Sequence, residues 1–239
     1  MSESLDRLQI KIFADGADLE GIRSLAADDR IRGFTTNPTL MRKAGVADYE
    51  TFAHEVIDAV GGRPVSFEVF ADDFDEMERQ ALQLAGLGSN VYVKIPVTDP
   101  AGEPSTKLIR QLAEQGVQLN VTAILTLDQV AWVSEALRGG PAGIVSVFAG
   151  RIADTGRDPI PIMSAALELL RPSPNLELLW ASSRELLNLL QADGIGCHII
   201  TMTNDLLAKL AMIDCDLAVL SLQTVQMFHE DAARSGYHL

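Results

Sequence analysis

Eight short runs rich in β-branched and aromatic residues recur along the chain, and each is followed by a stretch with helical periodicity. The runs occupy residues 9–15, 33–37, 64–70, 91–97, 118–124, 143–150, 176–182 and 196–202. Amphipathic stretches between them include residues 73–87, 105–115, 127–137 and 184–191. Because regular strand–helix alternation is typical of parallel strands with crossover helices, the sequence predicts an α/β fold, a closed (β/α)8 TIM barrel.

The first run bears on the main alternative, an open doubly wound sheet. Such sheets usually carry a glycine-rich phosphate-binding turn after their first strand. Here the run ends in FADGAD at residues 13–18, which contains neither a G-x-G-x-x-G nor a Walker A pattern. The second run is short and poor in apolar residues, so the open sheet stays as the alternative fold.

The chain shows no linker, low-complexity segment or charge block that would separate two parts. We therefore expect a single barrel domain over residues 1–239, with residues 1–8 as an amino-terminal extension. A long helical pattern over residues 216–235 follows the eighth strand–helix unit and predicts a carboxyl-terminal helix at about residues 214–235.

Composition excludes several classes of function. The 47% hydrophobic and 22% charged residues are typical of a soluble globular protein. A net charge of −14 argues against sequence-independent binding to nucleic acid or to anionic membranes, since both need clustered lysine and arginine. The polar, acidic residues 1–7 predict no signal peptide, and Cys197 and Cys215 lack zinc or redox spacing. We expect a cytoplasmic protein.

One lysine lies within a run that reads as a buried strand, VYVKIPVT at residues 91–98. An ammonium in a packed interior is costly unless it is paired or neutralised. Since a neutral lysine amine attacks carbonyl carbons, Lys94 is a candidate for a Schiff base. The alternative is a strand-end lysine whose ammonium lies in solvent or in a structural ion pair.

Other polar residues also fall at the ends of predicted strands, where TIM barrels carry their catalytic groups. They are Asp15, Thr35, Asn37, Glu68, Asn120, Thr122, Ser146, Arg151, Ser182 and Arg184. Each has a structural alternative when taken alone. Asp15 could form a turn or cap a helix, and Asn37 could simply precede a helix that begins at Pro38. Glu68 could face solvent, and the two arginines could form surface ion pairs.

Taken together, these residues favour chemistry at one mouth of the barrel. An amine and carboxylates supply covalent and general acid–base routes to carbonyl chemistry. Two arginines with a serine suit a phosphate ester. The residues therefore predict a Schiff-base enzyme acting on a phosphorylated sugar or keto acid.

The sequence resembles the transaldolases and their relatives, the fructose-6-phosphate aldolases. The resemblance rests on FTTNP at residues 34–38, VYVKIPVT at 91–98, NVT at 120–122, SVFAGR at 146–151 and ASSR at 181–184. These motifs occur in the family's order and span roughly residues 9 to 215.

The resemblance implies a role for each residue. Lys94 would form the imine, Glu68 and Thr122 would hold the water that carries protons, and Asp15 would exchange the proton of the C4 hydroxyl. Asn37, Asn120 and Ser146 would bind the dihydroxyacetone portion, with Thr35 supporting the pocket. Arg151, Ser182 and Arg184 would hold the phosphate. The resemblance further implies phosphorylated ketose and aldose substrates, no metal, no cofactor and a homo-oligomer.

Two positions bear on the branch of the family. The aldolase branch resembles this sequence with glutamine in place of Glu68 and tyrosine in place of Phe148. The resemblance therefore implies a transaldolase, which transfers a three-carbon dihydroxyacetone unit to an aldehyde. The alternatives are aldolase-type release of dihydroxyacetone, and a specialised transaldolase that builds an unusual sugar phosphate. The latter is suggested by Gly16 and Ser183, where the family usually carries other residues.

Two further classes compete with this interpretation. An inactive barrel that serves as a scaffold would show gaps among the residues named above, and the sequence has none. A metal-dependent enzyme is suggested by Asp72, Asp73, Asp75 and Glu76, but these acids open a predicted helix, where they favour its positive end. Of four scattered histidines, only His198 falls in a predicted strand, and we expect it in the core or at the bottom face.

Overall fold

The computed structural model describes Leu5 and residues 7–236, and in this part of the chain eight parallel strands close into a barrel in chain order. The strands are β1 (Lys11–Asp15), β2 (Ile31–Thr35), β3 (Val65–Glu68), β4 (Val91–Pro96), β5 (Leu119–Ile124), β6 (Gly143–Val147), β7 (Leu176–Trp180) and β8 (Ile199–Thr203). β8 pairs with β1 and closes the barrel. The predicted (β/α)8 barrel is confirmed, and the open sheet is wrong.

Helices alternate with the strands along the chain. They are α1 (Leu19–Ala26), α2 (Pro38–Lys43), α3 (Tyr49–Ala59), α4 (Phe74–Ala85), α5 (Thr106–Glu114), α6 (Leu127–Leu137), α7 (Ala149–Ala153), α8 (Ile160–Leu170), α9 (Leu187–Gly194) and α10 (Asn204–Leu207), then a 3-10 helix (Ala208–Met212) and α11 (Leu217–Ser235).

Capping side chains explain where several of these helices begin. The Asp73 carboxylate accepts hydrogen bonds from the backbone amides of Asp75 and Glu76, so it caps α4. Glu76 in turn pairs with Arg79 one turn later. The acidic run considered as a metal site thus begins a helix, and the described residues contain no group of three or more histidine, cysteine or acidic side chains arranged to hold a metal ion.

Several strand boundaries differ from the sequence prediction, and the shifts of β2 and β8 have a clear physical cause. β2 begins at Ile31 and ends at Thr35, two residues earlier than predicted, because Ile31 belongs to the core and Asn37 already caps the next helix. β8 begins three residues later than predicted. Gly196 has a positive φ of 78°, which suits the turn after α9 and not a strand.

The barrel interior is filled with apolar side chains below the carboxyl ends of the strands. Phe13, Ile144, Leu179, Ala181 and Ile199 form one buried cluster, against which Tyr92 and Phe148 pack. His198 precedes β8, and its Nδ1 accepts a hydrogen bond from the amide of Leu178 at 2.9 Å. It therefore sits at the amino-terminal face of the strands, opposite to the end where catalytic groups of such barrels lie.

By its contacts the chain divides into two compact units. One comprises residues 9–207 and holds all eight strands, while the other comprises residues 1–8 together with residues 208–239. The predicted carboxyl-terminal helix is present as α11, while the predicted extension at residues 1–8 lies largely outside the described residues. Assignment of the whole chain to one domain stays a prediction. No helix of the described residues has the length and apolar character needed to span a bilayer.

Phe13 and Gly33 offer a test of interior packing. A Cβ built on Gly33 would lie 2.5 Å from Cζ of Phe13, so any side chain there must displace a fully buried ring. We expect Gly33→Ala to lower the free energy of unfolding by about 1–3 kcal/mol, the usual cost of overpacking a core. Urea denaturation would measure it.

Gly194→Ala is the matched control, because a Cβ there meets nothing within 4 Å at the end of α9. Its unfolding free energy should stay unchanged or rise slightly, since alanine is the better helix former. Equal stability of Gly33→Ala and the wild type would contradict this description of the interior.

Candidate active site

A cavity of about 420 Å³ opens at the carboxyl ends of the strands. Its lining comes from all eight strands and the turns that follow several of them, as in other barrels of this architecture. Of the residues predicted for the site, it is lined by Asp15, Thr35, Asn37, Glu68, Lys94, Asn120, Thr122, Ser146, Phe148, Arg151 and Ser182. Arg184 is the predicted residue that is not part of this lining.

Lys94 is buried in this cavity and paired. Its side chain is 9% exposed, and Nζ donates hydrogen bonds to Glu68 Oε2 at 3.1 Å and to the Thr36 carbonyl oxygen at 2.9 Å. Glu68 and Lys94 are directly opposite each other on β3 and β4, so strand register alone brings amine and carboxylate together. The ammonium does not lie in solvent, and its ion-pair partner is itself a cavity residue.

Asp15 ends β1 and lines the same cavity as this pair. Its Oδ1 accepts a hydrogen bond from the Thr35 hydroxyl at 2.8 Å. Burial raises the pKa of the Asp15 carboxyl above its usual value, while the charge of Lys94 and the hydrogen bonds from Thr35 and Asn37 partly oppose that rise. The carboxylate that caps α1 is Asp18 instead, which accepts from the Gly21 amide.

Asn37 serves the helix and the cavity at once. Its Oδ1 accepts the amide hydrogen of Leu40 and so caps α2, which begins at Pro38 as the sequence suggested. The side-chain amide nitrogen is left to donate, and it contributes a hydrogen bond that lowers the pKa of Asp15. Asn37 therefore both caps a helix and lines the cavity, so the two interpretations of this residue are compatible.

A second set of polar side chains crosses the cavity floor. Ser146 Oγ donates to Asn120 Oδ1 at 2.6 Å, and Asn120 Nδ2 donates to Ser66 Oγ at 2.9 Å. Because the amide has distinct donor and acceptor ends, these two bonds fix which way it points. Ser66 was missed by the sequence analysis, since it lies inside an apolar run and its only signal is that it points inward two residues before Glu68.

The end of β5 is irregular where the cavity needs it. The pairing of β5 with β6 shifts between Val121 and Ile124, and Ala123 adopts a positive φ of 62°. Such a bulge bends a strand locally and re-aims its side chains. Thr122 lies at this bulge and lines the cavity. Phe148, which follows β6, also lines the cavity and contributes an apolar ring without a hydroxyl.

The predicted phosphate residues are divided. Arg151 and Ser182 line the cavity, and the Arg151 guanidinium lies 5.5 Å from the centre of the Phe148 ring. Ser182 has a positive φ of 64°, and a Cβ on Gly150 would overlap its carbonyl oxygen, so the turns after β6 and β7 touch backbone to backbone. Arg184 instead forms a two-contact ion pair with Asp154 at 2.5 and 3.1 Å.

Comparison with known proteins gives this geometry a family. Residues 12–238 match the family model described as transaldolase/fructose-6-phosphate aldolase. The chain belongs to this family.

Curated relatives of the transaldolase/fructose-6-phosphate aldolase family support the same membership. A protein named "Probable transaldolase" from Rhodospirillum centenum is 36% identical over 195 residues, 81% of this chain and 80% of the relative. A second of that name from a Thermoanaerobacter species is 32% identical over 228 residues, 95% of this chain and 99% of the relative. The resemblance inferred from the motifs is confirmed.

Solved structures of other proteins share the fold of this family member. A flavocytochrome b2 variant superposes with a TM-score of 0.57 at 14% identity, over 82% of this chain and 57% of that one. A structure described as native KDPGal gives a TM-score of 0.51 at 14% identity, over 82% of each chain. These likenesses show the barrel alone.

The raised pKa of Asp15 predicts a stability cost at neutral pH. A carboxyl whose pKa is higher in the folded than in the unfolded protein favours folding when protonated and loses that contribution as pH rises through the folded pKa. We expect Asp15→Asn to unfold at higher urea concentration than the wild type at pH 7. The difference should shrink as the pH falls and Asp15 takes up its proton.

Asp28→Asn is the control of opposite sign. Hydrogen bonds from Arg30 hold the pKa of Asp28 below its usual value, so this carboxylate stabilises the fold above the unfolded pKa and stops doing so as pH falls. Removing it should lower stability at pH 7. Matching pH profiles for Asp15→Asn and the wild type would contradict the assignment for Asp15.

Proposed function

We propose that the protein transfers a three-carbon dihydroxyacetone unit from a ketose phosphate to an aldehyde through a Schiff base on Lys94. The observation that carries the proposal is the buried Lys94 amine, 3.1 Å from the Glu68 carboxylate inside a cavity that also holds Asp15. Family membership supports aldolase-type chemistry, and the two curated relatives above are named as transaldolases.

Imine formation would begin with an amine free of its proton. Glu68 Oε2 accepts a hydrogen bond from Nζ, so it is placed to take a proton from Lys94 and to return it to the hydroxyl that leaves as water. Nζ then attacks the carbonyl carbon C2 of the ketose, and loss of water gives the protonated imine. Thr122 lines the cavity beside this pair and would help to hold the water.

Cleavage would use Asp15 as the base. Asp15 takes the proton of the C4 hydroxyl, and the C3–C4 bond breaks. The electron pair of that bond moves into the imine to give an enamine, and the aldehyde leaves. The raised pKa of Asp15 suits a group that must both accept and return this proton near neutral pH. When a second aldehyde binds, C3 attacks it and Asp15 returns the proton.

Transfer in place of release requires that the enamine not be protonated early. Phe148 presents an apolar ring to the cavity, and no tyrosine is found among the described residues of its lining. A phenol there could position water or a proton near C3, whereas a phenyl ring cannot. This favours transaldolase over fructose-6-phosphate aldolase activity.

The substrate phosphate would lie at the rim formed after β6 and β7. Arg151 and Ser182 supply a guanidinium and a hydroxyl there. Arg184 would contribute once a phosphate competes with Asp154, because the pair is solvent-exposed, with side chains 46% and 52% accessible, and such pairs are weak.

Borohydride trapping tests the covalent step. Reduction in the presence of fructose 6-phosphate should leave a stable adduct on Lys94 that peptide mass spectrometry can locate. Lys94→Met should give no adduct. Lys107→Met, which changes an exposed lysine of α5, should trap as the wild type does. An adduct elsewhere, or none in the wild type, would overturn the Schiff base on Lys94.

The products distinguish transfer from release. With an aldehyde phosphate acceptor, we expect a new ketose phosphate and little free dihydroxyacetone. Equal release of dihydroxyacetone with and without acceptor would assign the aldolase alternative, and absence of any turnover would favour the scaffold alternative.

One observation favours a specialised acceptor as a second candidate function. A neighbouring cavity of about 400 Å³ shares Asp15 and Leu40 with the first and extends past Gly16 to Lys43 and Asn204. A Cβ on Gly16 would meet only Asn204 Oδ1, at 3.8 Å, so the glycine leaves space that a larger side chain would fill. That space would suit an acceptor longer than the usual aldehyde phosphates.

A panel of aldehyde acceptors of increasing length tests this idea. We expect the wild type to use long acceptors better than Gly16→Ser does, while the two proteins differ little on short ones. Mass spectrometry of the products gives the ratio of rates. Efficient formation of sedoheptulose 7-phosphate with no gain on longer acceptors would rule out the specialised enzyme.

A further inference from the structure

Thr201 lies on β8 and joins the hydrogen bonds around Asp15. Its Oγ1 is 2.6 Å from Thr35 Oγ1, and Thr35 Oγ1 is 2.8 Å from Asp15 Oδ1. Both threonines are nearly inaccessible, at 7% and 4% exposure. The contact bridges 166 positions of sequence, and the two strands that carry the threonines both flank β1.

The number of protons fixes the direction of this chain. A hydroxyl carries one proton to donate and two lone pairs to accept, while an ionised carboxylate only accepts. When Asp15 is ionised, the proton of Thr35 points to Asp15. Thr35 must then accept from Thr201, so the two hydroxyls form a one-way chain that ends on the carboxylate.

We propose that Thr201 is a positioning residue for the proton transfer at Asp15, and that it acts through Thr35. The Thr201 hydroxyl orients the Thr35 hydroxyl and makes it a stronger hydrogen-bond donor to the Asp15 carboxylate. This inference rests on the proposed function, in which Asp15 is the base. Protonation of Asp15 at Oδ1 would force Thr35 to accept instead, and both hydroxyls would have to turn. The chain therefore favours the ionised, base form.

Several charged groups face Asp15 besides these hydroxyls. They are Lys94 on β4 and Glu68 on β3, with Asp18, Lys43 and Asp205 around the neighbouring cavity. Burial raises the pKa of Asp15, and the Thr35 hydrogen bond is one of the interactions that lower it. Since hydrogen-bonded chains strengthen one another, loss of the Thr201 donor should weaken the Thr35 bond and raise the pKa of Asp15 further.

The test compares variants at this position. Thr201→Val keeps the shape and removes the hydroxyl, Thr201→Ala removes it with less packing strain, and Thr201→Ser restores it. Thr51→Val is the matched control, because the Thr51 hydroxyl also donates to an aspartate, Asp48, but outside the cavity. The pH dependence of kcat/KM and a carbon NMR titration of the Asp15 carboxyl in the ligand-free protein are the readouts.

We expect Thr201→Val and Thr201→Ala to move the acid limb of the profile and the Asp15 titration to higher pH by up to about one unit. The rate at that limb should fall by about three- to tenfold, the equivalent of one hydrogen bond. Thr201→Ser should recover both, and Thr51→Val should match the wild type.

Other outcomes overturn the proposal. An unchanged Asp15 titration in both hydroxyl-free variants would show that Thr201 does not act on the carboxylate. A rate loss that serine does not recover, with no shift in pH, would assign Thr201 to packing. Failure of the proposed function can be told apart from failure of this inference. The first shows as absence of imine trapping in the wild type, whereas the Asp15 titration still reports on the role of Thr201.

Discussion

The arrangement of the active site depends on how a lysine is accommodated inside a barrel. Lys94 is buried, and the Glu68 carboxylate and the Thr36 carbonyl oxygen accept its hydrogen bonds. Removing one partner of a buried pair leaves the other charge uncompensated, which usually costs more than the pair itself contributes. The pair therefore ties β3 to β4 in one register and places an acceptor for protons beside the amine.

Polar neighbours of this pair are ordered by hydrogen bonds that leave each side chain little choice of direction. Ser146 and Ser66 hold the two ends of the Asn120 amide, and Thr201 and Thr35 lead to Asp15. In a buried setting an unsatisfied donor or acceptor is expensive, so these chains also keep the strands in register.

Much of this could be predicted from the sequence. Eight strand-like runs followed by helical stretches predict the barrel, and the position of Asp15, Glu68 and Lys94 towards the ends of predicted strands predicts that they meet at one mouth. The predicted ends of the strands were less exact, because a turn glycine such as Gly196 or a helix cap such as Asn37 ends or delays a strand even where the apolar pattern continues.

Interactions between distant residues could not be predicted in this way. Thr201 looks like any β-strand threonine until Thr35 is seen 2.6 Å away. Arg184 pairs with Asp154, 30 positions away in the sequence, and no pattern in the sequence connects the two residues. The positive φ of Ser182 has no signal in the sequence, since serine rarely adopts it.

The contact of Gly150 with Ser182 limits how this barrel can be altered. The turns after β6 and β7 share one close backbone approach, which leaves no space for a Cβ on Gly150, and Ser182 in the second turn adopts a left-handed conformation. Neither turn can therefore be grafted from another barrel without its counterpart. In loop exchange, and in the divergence of related enzymes, the two segments have to change together.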